Sequence, residues 1–330
     1  MKEEIPGSLA ITYMTKDEYA VILSCRGTSS YLKIPEKIEG IPVKEIGTYG
    51  FSSPEEGIRL LKGLAEIKEC FIEGIDAPLS SMELIFGKGL KEVFLPDGII
   101  RIGEYAFYNC TELESISLGE GAIEFGNGAF MNCDSLRKLG FRADTRSSAG
   151  LAGFLRELQG ELAVTFEKDR TRAEFIFPEY YEESIENTPA RVFHYLIHGA
   201  GYRYRQCLKN GILEVSLYDA LFLTPEIQTE EDTALRIALS RLRHPYMLTA
   251  ACKTQYIRYL KLHREETVRL YILKNDAKGL IVLRQEEILT PALMDYALKE
   301  AILRKQPECI GVLMSMQEEK TEKDDNKFEL

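Results

Sequence analysis

Two histidines four residues apart, His194 and His198, stand ahead of Cys207 in the segment His194-Tyr-Leu-Ile-His-Gly-Ala-Gly-Tyr-Arg-Tyr-Arg-Gln-Cys207. On a helix the two imidazoles would share one face and could ligate a metal. The HExxH site of a zinc protease needs a Glu beside the first His, and Tyr195 stands there instead. Cys207 with His198 could supply a nucleophile and its base, yet no Asn or Asp is placed by the sequence to orient the imidazole. Gly199-Ala-Gly201 has the GxG of a phosphate loop without the GK[ST] that completes one. Cys110 and Cys133 could form a disulfide or a metal pair, but a column of buried thiols packing as small hydrophobes is the plainer reading. No catalytic residue, cofactor or metal is therefore expected. What remains is interface chemistry. Tyr180, Tyr181, His198, Tyr202, Arg203 and Arg205 are the residue types that anchor protein interfaces, as a binding surface or as packing at a joint between two halves. The rival is an enzyme or ligand site at 194–207. It would lose activity, with its fold intact, on single substitution of His194, His198 or Cys207.

The elements that must hold these residues begin with an internal repeat. Leu90-Lys-Glu-Val-Phe-Leu95, Ile102-Gly103 and Ala106-Phe107-Tyr-Asn109-Cys110 recur 23 residues on as Leu113-Glu-Ser-Ile-Ser-Leu118, Phe125-Gly126 and Ala129-Phe130-Met-Asn132-Cys133. A third start follows at Leu136-Arg-Lys-Leu139, and an earlier copy spans Leu32 to Phe51 with a longer turn at Lys37 to Pro42. Residues 64–86 read as a decayed copy with an insertion. Leu113, Ile116 and Leu118 enter the core from a short strand, and Phe125, Ala129, Phe130 and Cys133 cover the opposite wall. One copy cannot bury that face alone, so copies must stack. Gly103 and Gly126 are expected at tight turns, with Asn109 and Asn132 bonding the turn backbone. Strand alternation turns Glu92, Phe94, Ser115, Ser117 and Lys138 outward, with Phe94 the apolar member.

A Leu-x-x-Ile-x-Leu period of this length is the leucine-rich repeat pattern. On the segments IPEKIEGIPVKEIGTYGF and LPDGIIRIGEYAFYNCTELESISL, residues 10–141 resemble the BspA-like (Treponema pallidum type) bacterial leucine-rich repeats. The resemblance implies a protein-interaction module of a bacterial cell, and many such modules sit on cell surfaces. The start, with Glu3 and Glu4 and no apolar h-region, does not read as a signal peptide. Seven widely spaced cysteines without a CxxC fit reduced thiols. The expected compartment is the cytoplasm; a secreted adhesin would require that an export signal had been removed.

After Phe141 the repeat stops. Arg142 to Gly150 reads as a loop, Leu151 to Leu158 as a short helix, and 162–166 with 173–177 as a hairpin capping the stack. Beyond Leu213 helical periodicity takes over. Helices are expected near 213–222, 230–243, 247–262, 264–274, 277–288, 291–304 and 307–317, with Thr229 and Thr290 as N-caps. Leu289 to Leu298, continued by Pro307 to Met314, is similar to a degenerate ankyrin-type helix pair lacking TPLHxA. The expectation is an α+β multi-domain chain. A leucine-rich repeat solenoid occupies 1–141, a mixed α/β capping and joining segment 142–210, an α-helical hairpin or solenoid domain 211–317 and a disordered tail 318–330.

Charge bounds the partners. The 330-residue chain carries a net charge of -11, which disfavours nucleic acid, and no apolar run is long enough to span a membrane. Residues 1–140 hold 14 basic and 22 acidic groups, whereas 236–284 hold 11 and 3. Arg241, Arg243, Arg258 and Lys261 in that basic stretch could meet an acidic protein. The sequence thus reads as a non-catalytic protein–protein interaction scaffold or adaptor of open oligomeric state.

Overall fold

The computed structural model describes residues 8–63, 65–72, 82–121, 123–147, 150–187 and 192–325. The chain divides into two compact units, Met1–Leu221 and Phe222–Leu330. In the first, the repeat becomes a ladder. Strands Tyr31–Lys33, Glu92–Phe94, Ser115–Leu118, Lys138–Phe141 and Leu162–Lys168 pair in parallel, and Thr171–Phe177 closes the sheet antiparallel. The register aligns Leu32, Val93, Ile116, Leu139 and Val164 in one column, all buried. A second sheet, in which Tyr19–Gly27, Ile41–Ile46, Arg101–Ile102 and Glu124–Phe125 pair in parallel, holds the other short strand of each copy. Ring stacks link successive copies. Phe51 and Phe107 lie 5.1 Å apart, as do Phe107 and Phe130. Phe154, from the helix Leu151–Glu157, continues the column 4.7 Å from Phe130. Aromatic pairs at such spacings add to the area they bury.

The repeat glycines serve a different purpose from the one read in the sequence. Gly103 and Gly126 lack positive φ. A Cβ on Gly126 would lie 2.3 Å from Glu104 N, and one on Gly103 2.6 Å from Thr48 N. Close approach of successive backbones requires them, not a turn. Asn109 and Asn132 do occupy left-handed backbone, at φ 58° and 62°. Their side chains bond each other along the stack, Asn132 Nδ2 donating to Asn109 Oδ1 at 2.8 Å. Cys110 and Cys133 are free, buried thiols. Each donates to the carbonyl of the phenylalanine one copy back, Phe51 at 3.3 Å and Phe107 at 3.1 Å.

The described part of residues 64–86, read from the sequence as a decayed copy with an insertion, adds no strand to the parallel ladder. Tyr31–Lys33 pairs directly with Glu92–Phe94, leaving no place between them for a coil. The helix Pro54–Leu61 precedes this stretch, whose described part holds two strands. Ile67–Ile72 pairs antiparallel with Leu9–Lys16, and Glu83–Leu84 with Tyr19–Gly27. The stretch does carry an apolar row, Ile67-Lys-Glu-Cys70-Phe-Ile72, which matches Leu90-Lys-Glu-Val93-Phe-Leu95 at the 23-residue offset, yet that strand pairs antiparallel with Leu9–Lys16 instead of joining the parallel ladder; residues 64 and 73–81 lie outside the described residues.

The hairpin of Leu162–Lys168 and Thr171–Phe177 continues the sheet past the last copy. The helix Val215–Leu221 is held to it by Tyr218, whose hydroxyl donates to Ile176 O at 2.6 Å and accepts from Ile176 N at 2.9 Å. Residues 211–221, read from the sequence as the start of the helical domain, thus belong to the first unit.

The second unit is helical: Glu231–Arg243, Ala250–Leu262, Arg264–Leu273, Ala277–Gln285, Pro291–Leu303 and Pro307–Asp325 follow a short turn of helix at Pro225–Gln228. Helix 264–273 packs on 277–285, and 291–303 on 307–325; the two hairpins then stack first helix on first and second on second. Thr249 caps its helix by accepting from Cys252 N at 3.2 Å, and Pro291 opens the next-to-last helix after Thr290. Thr229 does not cap, because its hydroxyl donates to Glu226 O at 2.8 Å and Glu230 takes the N-cap position. The last helix reaches Asp325, through residues read from the sequence as tail; 326–330 lie outside the described residues. No described helix is long and apolar enough to cross a membrane.

Candidate functional site

The parallel sheet presents the outward residues in two rows. One runs Tyr31, Glu92, Ser115, Lys138 and Ala163, the other Lys33, Phe94, Ser117, Gly140 and Thr165. The middle of both rows is small, so backbone lies close to the surface there. Tyr31 is exposed and Phe94 half-buried beside it. Ser115 Oγ donates to Glu92 Oε1 at 2.8 Å. Arg142 brackets the second row. Its Nη1 donates to Ser117 Oγ at 2.8 Å and its Nε to Asp97 Oδ1 at 3.0 Å. Glu92, Phe94, Ser115, Ser117 and Lys138 therefore share one face. Tyr31 and Lys33 join it and were legible only by aligning Leu32 with Val93 across the insertion.

The segment 194–207 lies within the first unit. His194 and His198 are on a strand, Val192–His198, rather than a helix. It pairs antiparallel with Tyr181–Asn187 in a sheet of two strands. On either side of this hairpin Tyr181, Ile185, Tyr195, Leu196 and Ile197 are 42% to 71% exposed. Tyr181 stacks on His198 at 4.6 Å, and His198 Nε2 lies 3.0 Å from Glu183 Oε2. Tyr180 and Tyr202 meet edge to face at 5.7 Å, with Tyr202 and Arg203 exposed.

Arg205 corrects the reading of that cluster. It is buried, not a surface anchor. Its guanidinium donates to the carbonyls of Leu158 (2.9 Å), Gly160 (2.7 Å), Gly201 (3.1 Å) and Pro178, and Tyr180 covers it at 4.8 Å. Burial pulls its pKa down to about 10. A planar fork of five donors is what four converging carbonyls require. Gly201 fits against this cluster because a Cβ there would sit 2.2 Å from Pro178 O. Cys207 is buried as well, and burial, then Asp219, pushes its thiol up to about 12. A thiol held neutral is a poor nucleophile.

The basic stretch of the second unit also changes meaning. Arg241 is fully buried, its Nη2 donating to Tyr246 O at 3.0 Å, and so is not available to a partner. Arg243 pairs with Asp276, Lys253 with Glu286 at 2.7 Å and Lys261 with Glu287 at 3.9 Å. Arg258 remains exposed. Arg241, Arg243, Lys253 and Lys261 are thus engaged within the unit, whereas Arg269, Lys274 and Lys278 are exposed like Arg258.

Residues 81–151 match the family model of the BspA type leucine rich repeat region (6 copies). That span contains the strands Glu92–Phe94, Ser115–Leu118 and Lys138–Phe141, so this part of the ladder is similar to the BspA type repeat. The match supports protein–protein interaction as the general role; it does not reach the helical unit, and no family match bears out the ankyrin-type resemblance read there from the sequence. No curated protein and no solved structure matches the chain.

Proposed function

We propose that this chain is a non-catalytic protein–protein adaptor of a bacterial cytoplasm. It takes a protein partner on the outward face of the BspA-type sheet and on the hairpin 181–198. The hairpin carries the reading. Five large apolar side chains stand exposed on a two-stranded sheet, and such a ribbon is marginal in water by itself. Exposed apolar surface of this kind marks an interaction site. Its residues, tyrosines with a flanking histidine, are interface anchors rather than acid–base groups. The helical unit, an ankyrin-type hairpin stack in this reading, offers a second platform, with the exposed Arg258 as a basic contact. Free thiols at all seven cysteines suit a reducing compartment.

Photo-crosslinking in the source cell tests it. A benzophenone side chain at Tyr195 or Tyr31 should capture the same discrete protein, and one at the exposed Lys62 should not. Capture at Lys62 alone, or of unrelated proteins at Tyr195 and Tyr31, would dismiss the shared docking face.

A further inference from the structure

Three potential metal ligands from different stretches of sequence converge in the helical unit. Glu231 is the first residue of helix 231–243, His263 lies at the break between helices 250–262 and 264–273, and Glu266 stands in the first turn of the latter. One ligand atom from each lies within 4.8 Å of the other two, and His263 Nδ1 is 3.1 Å from Glu231 Oε1. We propose that Glu231, His263 and Glu266 bind a divalent first-row transition metal.

The geometry suits that class. Zinc–nitrogen and zinc–oxygen bonds of about 2.0–2.2 Å at tetrahedral or octahedral angles set neighbouring ligand atoms roughly 3.0–3.5 Å apart. The His263–Glu231 edge already has that length, and a rotation of the longer Glu266 side chain closes the triangle. One imidazole with two carboxylates favours zinc, manganese, iron or cobalt over calcium, which takes an all-oxygen set. The imidazole is held in place: its ring stacks on Tyr259 at 4.5 Å, and its backbone carbonyl accepts from Thr267 N at 3.0 Å. Glu231 and Glu266 open onto a solvent-accessible cavity of about 550 Å³ that is also lined by Glu230, Asp232, Thr233 and Arg269.

A second observation points to a missing neighbour. Tyr259 is 7% exposed, and its buried hydroxyl has no hydrogen-bond partner among the described residues. An orphaned buried hydroxyl is costly. Its ring is stacked on the His263 imidazole, which places it against the same cluster. A water carried on the metal would give the hydroxyl an acceptor or donor that the protein does not supply. The competing account is that the two glutamates serve only the positive ends of their helices, which needs neither the imidazole nor the orphan hydroxyl.

The test is a Co2+ titration of the intact, reduced chain, followed by visible absorption and repeated by calorimetry with Zn2+. The expected result is one equivalent bound, with no thiolate-to-metal charge-transfer band. Glu231→Gln and His263→Gln should each weaken binding by about tenfold or more, since even outer-shell changes cost that much. His198→Gln should leave it unchanged. Glu266→Gln, at a half-buried position, is the second variant should either of the first two fail to fold by circular dichroism. Absence of saturable binding, affinity unchanged in the folded ligand variants, or thiolate bands would each overturn the proposal.

Discussion

Replacing Gly126 by alanine inserts a methyl group between two backbones. The new Cβ would meet Glu104 N at 2.3 Å, Gly103 C at 2.6 Å and Glu104 Cα at 2.7 Å. All three are main-chain atoms, so no side-chain rotation relieves the clash and successive copies must part. Overpacking of this kind costs typically about 1–3 kcal/mol. The unfolded chain offsets part of it, because alanine restricts that ensemble by about 0.4–1 kcal/mol relative to glycine. Gly140, on the outward face of the same ladder, is the control. Its added Cβ would meet only the Ser117 side chain and Cα, the nearest atom at 3.4 Å. Gly140→Ala should therefore be neutral or stabilising by a few tenths of a kcal/mol to about 1. The two single-methyl changes should differ by roughly 2 kcal/mol, read as a shift in urea midpoint at constant m. Equal midpoints for the two variants would refute the claim that backbone proximity fixes the repeat glycines.

Two further outcomes follow from buried polar groups. Arg205→Leu leaves the carbonyls of Leu158, Gly160, Pro178 and Gly201 short of donors and should cost about 3–5 kcal/mol; Arg205→Lys should recover only part, lacking the fork. A loss under 1 kcal/mol by chemical denaturation would show that water replaces the guanidinium. Alkali should also destabilise the first unit. Burial raises the thiols of Cys110 and Cys207 from 9.0 to about 12, and those of Cys25 and Cys133 further. Above about pH 9 the unfolded chain loses protons that the native one keeps, so stability falls as pH rises, by up to roughly 1.4 kcal/mol per pH unit per thiol. Cys110→Ser should flatten the decline between pH 8 and 10; an unchanged slope would mean that these thiols ionise in the folded state.

What was legible in the sequence was what repeats. A fixed 23-residue offset locates Val93, Ile116 and Leu139 in one column, and helical periodicity locates the later helices to within a few residues, except the end of the last, which runs on to Asp325. An insertion within residues 64–86 was legible but its pairing was not, because Ile67 to Ile72 pairs with Leu9–Lys16, a partner far back in the chain. The hairpin 181–198 was hidden for another reason. Val192 to His198 is almost wholly apolar or aromatic, so the period-two alternation of a strand does not show. Residue type misled at Arg205 and Arg241, since nothing in a sequence tells whether an arginine meets solvent or converging carbonyls. Glu231, His263 and Glu266 escaped notice because helix packing, not spacing, brings them together.

The central claim is that docking runs through apolar contact at the hairpin and sheet face. The most direct measurement is the affinity of the partner captured at Tyr195 for the wild-type chain, Tyr195→Glu and Arg258→Glu, at about 50 and 300 mM salt, which bracket weak and strong screening. Binding that survives high salt and Arg258→Glu, but falls at least about tenfold with Tyr195→Glu, is the expected result, since a buried aromatic anchor is worth about 2 kcal/mol or more. Undiminished binding by Tyr195→Glu, with loss on adding salt or removing Arg258, would contradict it and move the interface to the helical unit.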